Sequence, residues 1–457
     1  MVSFMNVIDR ASTGPYYSEK DYNLKVFVPK LKEVVKKYEI KCDPENVVPC
    51  DDDLADRVFK AGIELYANVG TYCVDTQRII QFTEAEIREA LAGAPSAPVF
   101  GEGQDAKALV ARKPESNTPP WCFLGACGAG VSNEEIFESI VQGYGEIPLA
   151  NSITAPSLTT LDGTQVRAGS PLEILACIKS VVLLREALEK AGRPGLAVMN
   201  SIATATSDAG KIAGSQFGLR PSDGWLIGPM AEMKVNYERL NEIAYVTSLG
   251  GHIVVDASPM LGGYCGGPEG AAVTNVAYHI QAILVFRGSC QASFPIHLRT
   301  SCSTDRGTLW VINASTQGIA RNSHFPILNI SIIGAGPETE VEFYENAACV
   351  IGAVVSGSAG VESPGGAKNA IIDHLSPMIS KWTAEVAHAT IGMKRTKANE
   401  IVNILLPKYE SNIDNPPQGK RYQDCYNIKT LKPSRRYVEL YEKAKEELTG
   451  YGLKFKY

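Results

Sequence analysis

Gly192-Arg193-Pro194-Gly195-Leu196-Ala197-Val198-Met199-Asn200 is the stretch on which the fold turns. Its first four residues stop a helix, because glycine enters turn conformations freely and proline cannot continue a helix. A short apolar strand follows and ends at Met199. The preceding helix opens at Ser170-Pro171-Leu172-Glu173, with Ser as N-cap, Pro at the first helical position and Glu closing a capping box. A long helix feeding a short apolar strand through a tight turn is one repeat of a parallel α/β sheet.

Working outward, the same alternation recurs. Strands are predicted at Trp121 to Ala126, Ile147 to Asn151, Leu196 to Met199 and Gly224 to Gly228. Four more follow at His252 to Asp256, Ala292 to Arg299, Ile327 to Ile333 and, more weakly, Ser356 to Val361. Helices are predicted from Ser132 (with Glu135 as its box partner), over Ser170 to Ala191, Met230 to Ser248, Gly270 to Arg287, Thr304 to Asn322, Thr339 to Val354 and Ser376 to Gly392. Eight strands and seven helices, about eight βα units, favour a TIM (β/α)8 barrel over an open doubly wound sheet. Residues 1–115 read as an N-terminal helical extension packed on the barrel, with capping signals at Ser18-Glu19-Lys20-Asp21 and Thr83-Glu84-Ala85-Glu86. Residues 116–394 form the barrel and 395–457 a C-terminal helical extension.

Composition narrows the function classes. The 457 residues are 45% hydrophobic, enough for one large core. Net charge is −6 and the basic residues are dispersed, which argues against nucleic acid. Met1-Val2-Ser3-Phe4-Met5-Asn6 lacks the basic start and long apolar core of a signal peptide, and no apolar run approaches a membrane span. Eleven cysteines without a C-x-x-C pair read as reduced thiols of a cytoplasmic protein, with no disulfide framework and no metal site.

Several residues are candidates for chemistry. Asp256 ends a strand, and a carboxylate there points into the mouth where barrel enzymes work; its alternative is capping the next helix. His297 and Arg299 lie two apart on one predicted strand, so they share a face. Either they grip an anionic group, or they are tied to Asp305 or Asp256. Gly262-Gly263-Tyr264-Cys265-Gly266-Gly267 lets backbone approach a flat ligand, or simply turns. Gly125-Ala126-Cys127-Gly128-Ala129-Gly130 lacks dinucleotide-loop spacing and reads as a tight turn. Arg321-Asn322-Ser323-His324 reads as a polar helix exit, and Cys265 and Cys302 have no local His partner to activate them.

Gly70-Thr71-Tyr72-Cys73-Val74-Asp75-Thr76, Gly192-Arg193-Pro194-Gly195 and Pro259-Met260-Leu261-Gly262-Gly263-Tyr264 are uncommon combinations. So are Gly336-Pro337-Glu338-Thr339-Glu340 and Tyr422-Gln423-Asp424-Cys425-Tyr426. Through them about nine-tenths of the chain resembles the monomethylamine:corrinoid methyltransferases of methanogens. The resemblance implies a homo-oligomeric TIM barrel (a hexamer or another multiple of dimers). It also implies methyl transfer to the Co(I) of a small partner corrinoid protein, with no cofactor bound permanently. In the family the residue at the end of the third strand is pyrrolysine; here it is Met199. The positions of two family glutamates fall on Leu226 and Asp256, and those of a glutamine and a tyrosine on Ile330 and Ile332. His297 and Arg299 match. Gly262, Gly263 and Tyr264 would face the corrinoid.

The departures form one pattern, an apolar wall facing a single carboxylate. A thioether cannot hold an amine as an imine does. A donor that is already activated, such as a quaternary ammonium or sulfonium, needs no such group, and Asp256 suits it as counter-charge. A methoxy or methylthio donor would instead need Asp256 as an acid, its pKa raised by the wall. The expected function is therefore a pyrrolysine-free, corrinoid-dependent methyltransferase for a quaternary amine or another activated N-, S- or O-methyl compound. The alternatives are a monomethylamine-type enzyme with altered or lost activity, and a non-catalytic barrel that binds a corrinoid protein or senses a small ligand.

Overall fold

A computed structural model of the chain describes residues 2–126, 128–200 and 204–456. Met1, Cys127 and the Asn200 side chain, which enter the sequence reading, lie outside that description. Eight strands form one parallel sheet: β1 (Trp121–Leu124), β2 (Ser152–Thr154), β3 (Ala197–Asn200), β4 (Gly224–Ile227), β5 (His252–Ala257), β6 (Cys290–Ser293), β7 (Ile327–Ile330) and β8 (Gly360–Glu362). Their order is β3-β2-β1-β8-β7-β6-β5-β4. The outer helices are α1 (Glu134–Gly145), α2 (Pro171–Lys190), α3 (Asp208–Ser215), α4 (Tyr237–Ser248), α5 (Pro268–Leu284), α6 (Arg306–Asn322), α7 (Glu340–Val355) and α8 (Pro377–Ala389). This is the expected TIM barrel.

The sheet closes where β3 meets β4. Gly224 faces Met199 so closely that a Cβ would stand 3.1 Å from the Met199 Cα and 2.8 Å from Val254 Cγ2. At the same seam the Val198 N–H donates to the Asp223 carboxylate at 3.0 Å. Asp223, fully buried, is anchored in turn by Arg185 and by the Arg220 N–H. Gly224→Ala is expected to destabilise the fold by about 1–3 kcal/mol, because the seam has no room for a methyl group. Denaturant unfolding measures this; an unchanged midpoint would mean that the seam opens freely.

Side chains alternate along each strand, and one set fills the barrel. Trp121, Phe123, Ala197, Met199, Val254, Cys290, Ala292, Leu328 and Ile330 make up this interior cluster. Phe100 plugs its lower end from a hairpin of Val99–Phe100 with Lys107–Ala108, packing on Trp121 and His252. The N-terminal segment is thus more than helices. It also pairs Thr71–Cys73 with Arg78–Ile80 and Lys234–Val235. In the C-terminal segment, Arg435–Gly450 packs Tyr437 on Phe343 of α7 and bonds its hydroxyl to Ser376.

Local signals behaved unevenly. Thr83 and Glu86 make the expected capping box, and Ser18 caps through the Asp21 N–H. Ser170 caps α2, but Glu173 does not reach back to it. Its carboxylate instead accepts bonds from Gly169, Thr206 and Ser207, tying down the loop after β3. Burial pushes this carboxyl up, yet those bonds outweigh it and its pKa is lowered. The cap of α1 is Asn133 rather than Ser132. The second strand is Ser152–Thr154, just past the apolar run Ile147 to Asn151. Helix α3 was not read from the sequence.

Candidate functional site

Strand ends and the loops beyond them enclose a cavity of about 380 Å³ at the C-terminal mouth of the barrel. Its walls are mostly apolar: Phe294 and Ile296 after β6, Ile330 and Ile332 at the end of β7, and Leu298 at the rim. Two carboxylates face it, Asp256 on β5 and Glu362 at the end of β8. Lys368, from the loop after β8, faces it too. The volume lies within the range of small-molecule sites.

Asp256 is exposed only in part, and what it meets is this cavity. Its Oδ1 is buried and accepts no hydrogen bond among the described residues. Burial pushes the carboxyl up to about 8, and Lys211 pulls weakly the other way. The Lys211 ammonium is itself committed to the Leu226 carbonyl at 2.9 Å and to Glu242 at 3.0 Å. An acid without a partner in an apolar pocket is costly as an anion, and a cationic ligand would repay that cost.

The structure brings Asp256, Ile330 and Ile332 to this one cavity. It does not bring the others to the same cavity. Met199 is fully buried below it, its sulfur accepting a bond from the Ser152 hydroxyl at 2.9 Å, which accepts one from the Trp121 indole N–H. Leu226 is half-buried against the same interior cluster.

His297 and Arg299 do not share a barrel strand. Strand β6 stops at Ser293, two residues before Pro295, which offers no N–H to a ladder. A separate short strand, Ile296–His297, pairs with Met260–Leu261. There His297 Nδ1 lies 3.2 Å from Asp305, and the exposed Arg299 pairs with Asp414. The tie to Asp305 is one of the two expected alternatives.

Gly262 turns the chain at φ +84°, and the Gly262–Gly263 turn lies against Leu298 at the cavity rim. Tyr264 points elsewhere, into a groove shared with Val28–Lys37, beneath the Lys234 ammonium. Cys302 and Cys265 are buried; burial pushes the Cys302 thiol up to about 12 and the Cys265 thiol well above its ordinary value, so neither supplies a thiolate. Arg321 is held by Asp56 and His324 by the Ala94 carbonyl, as a structural helix exit. Gly125 bonds Ser363 in a tight turn. Among the described residues no group of three or more His, Cys, Asp or Glu is placed to hold a metal ion.

Glu362 and Lys368 were missed. Glu362 ends an apolar strand just as Asp256 does, and that signal was available. The strand has three residues and was read as stopping one residue short.

Nearly the whole chain is matched by known proteins. The family described as monomethylamine methyltransferase MtmB matches residues 2–453. Monomethylamine methyltransferase MtmB of Methanosarcina mazei is 30% identical over 455 residues, 98% of this chain and 97% of the relative. MtmB2 of Methanosarcina barkeri is 30% identical over 454 residues, with the same coverage. The crystal structure of the Methanosarcina barkeri monomethylamine methyltransferase superposes with a TM-score of 0.96 at 29% identity, covering 99% of both chains. The crystal structure of the hydroxylamine MtmB complex gives the same values. With the family model matching residues 2–453 and relatives 30% identical over 98% of its length, the chain belongs to the monomethylamine methyltransferase MtmB family.

Proposed function

We propose that this protein is a corrinoid-dependent methyltransferase that works without pyrrolysine, Met199 standing at that position. It takes a methyl group from an activated donor, a quaternary amine in the first place, and passes it to the Co(I) of a partner corrinoid protein. The observation that carries this reading is the Asp256 carboxylate, its buried Oδ1 without a partner among the described residues, beside the apolar wall of the mouth cavity. Leu298, about half exposed at the rim beside the Gly262–Gly263 turn, offers apolar surface to a flat corrinoid. His297 and Arg299, held by Asp305 and Asp414, support the rim from behind. The family's homo-oligomeric assembly and a cytoplasmic setting are part of the same proposal.

The step balances simply. Co(I) attacks the methyl carbon, the C–N bond breaks, and its electron pair leaves with a neutral tertiary amine. The product cobalt is methyl-Co(III), and no proton moves. Asp256 holds the cationic nitrogen in place, and the apolar wall of Ile330 and Ile332 excludes water from the attack line. Ionising Asp256 at pH 7 costs about 1.4 kcal/mol, one pH unit below its pKa, which is small beside a buried ion pair.

The test is to mix the protein with cob(I)alamin and a panel of methyl donors and follow methyl-Co(III) by absorbance. With a quaternary donor, kcat/KM is expected to rise about ten-fold per pH unit below pH 8 and to level off above it, since the free enzyme must shed the Asp256 proton. A methoxy or methylthio donor needs the proton and gives the opposite slope, falling above pH 8. No methyl-Co(III) from any donor would sink the reading.

A further inference from the structure

Lys368 is the unabsorbed feature of the mouth. Its side chain lines the cavity, and among the described residues its ammonium makes no hydrogen bond or ion pair. Ala367, Lys368 and Asn369 all adopt left-handed backbone, with φ of +51°, +62° and +56°. Residues with a Cβ rarely do so, and three in a row persist only where surrounding structure enforces them. The enforcement is visible. The Ala367 N–H donates to the Ala335 carbonyl, Lys368 N–H to Ile333 and Asn369 N–H to Gly366. The loop after β7 thus holds the loop after β8 in a shape that presents Lys368 to the cavity.

Both signs of charge line one chamber. Asp256 and Glu362 sit on barrel strands, whereas Lys368 stands on a loop six residues beyond Glu362. Lys211, not Lys368, is the cation acting on Asp256. Behind its loop Lys368 acts on the buried Glu345, but both Glu345 oxygens are already bonded, to the Ala335 N–H and the Thr304 hydroxyl. A plain quaternary ammonium would satisfy Asp256 and leave Lys368 idle.

We infer that the methyl donor is bipolar: a methylated cationic head lies against Asp256 and Glu362, and a carboxylate tail reaches Lys368. This rests on reading the mouth cavity as the donor site, and it makes Lys368 the residue that sets donor specificity. The transferred methyl leaves from the head, so the tail changes only binding and orientation.

The experiment is calorimetric titration of the full chain at about pH 8.5, above the Asp256 titration, with no corrinoid present. The probes are trimethylglycine, γ-trimethylammonio-butyrate and tetramethylammonium. At least one carboxylated probe is expected to bind about ten- to a hundred-fold tighter than tetramethylammonium, the worth of one charge-assisted bond. Lys368→Met should erase that advantage and leave tetramethylammonium binding as it was; Lys368→Arg should keep most of it. Equal affinities in the wild type, or an advantage that survives Lys368→Met, would overturn the inference. If tetramethylammonium also methylated cob(I)alamin as fast as the carboxylated probes, the inference would fail and the proposed function would stand. If the Lys368-dependent preference held and no donor gave methyl-Co(III), the function would fail and the ligand class would stand.

Discussion

Asp256→Asn is expected to cost about 10²–10³-fold in kcat/KM for methyl transfer while making the protein more stable. The first effect follows from removing the partner of a buried cation. The second follows from the raised pKa. An aspartate titrates near 3.9 when unfolded, whereas burial holds Asp256 at about 8 in the fold. The folded state therefore keeps a proton that the unfolded chain has lost. Stability from this group is fully present below about pH 4 and is lost as pH rises through 8. Solvent in the cavity trims the shift, so the loss is about 2–4 kcal/mol at pH 8. Asparagine has no charge to bury. The variant should therefore unfold at higher temperature than the wild type at pH 8, with the gap closing towards pH 4. Parallel thermal melts and cob(I)alamin assays check both halves. A variant that transfers methyl at the wild-type rate removes Asp256 from the mechanism.

That opposition is what marks the residue, and it was partly legible in the sequence. Asp256 follows His252, Ile253, Val254 and Val255, and a charge closing an apolar strand stands out. Glu362 obeys the same rule but follows only Gly360 and Val361, too short a run for periodicity to register. The barrel as a whole was readable because eight short strands recur with helices after all but the third. The errors cluster where apolar content and strand geometry part company. Strand β2 carries Ser152 and Thr154 inside the barrel, so the neighbouring apolar run was mistaken for it. Pro295 divides the apparent strand Ala292 to Arg299, and with it the pairing of His297 with Arg299. Lys368 was beyond sequence reasoning, since its left-handed loop is imposed by carbonyls of Ile333, Ala335 and Gly366 in the surrounding chain. The seam between β3 and β4, stitched by Asp223, is likewise a tertiary fact.

Met199→Ala is expected to lower stability by about 2–5 kcal/mol and to change donor affinity far less than Asp256→Asn does. Met199 is completely buried, in contact across the seam with Gly224, and packed in the interior cluster with Trp121 and Val254. Truncation removes the thioether from a close-packed space that the strands cannot collapse to fill. It also strips the Ser152 hydroxyl of its acceptor, although that hydroxyl keeps the Trp121 N–H. The apolar wall that meets the donor is then Ile330 and Ile332, which line the cavity as Met199 does not. On the proposed reading, the position that holds a reactive group in the pyrrolysine enzymes has here become part of the barrel's packing. Met199→Leu, which keeps the volume and loses the sulfur, should cost less than about 1.5 kcal/mol. Denaturant unfolding of both variants beside calorimetric donor titration separates the two roles. If Met199→Ala kept wild-type stability while donor binding collapsed, Met199 would be a substrate contact, and the cavity would extend down to β3.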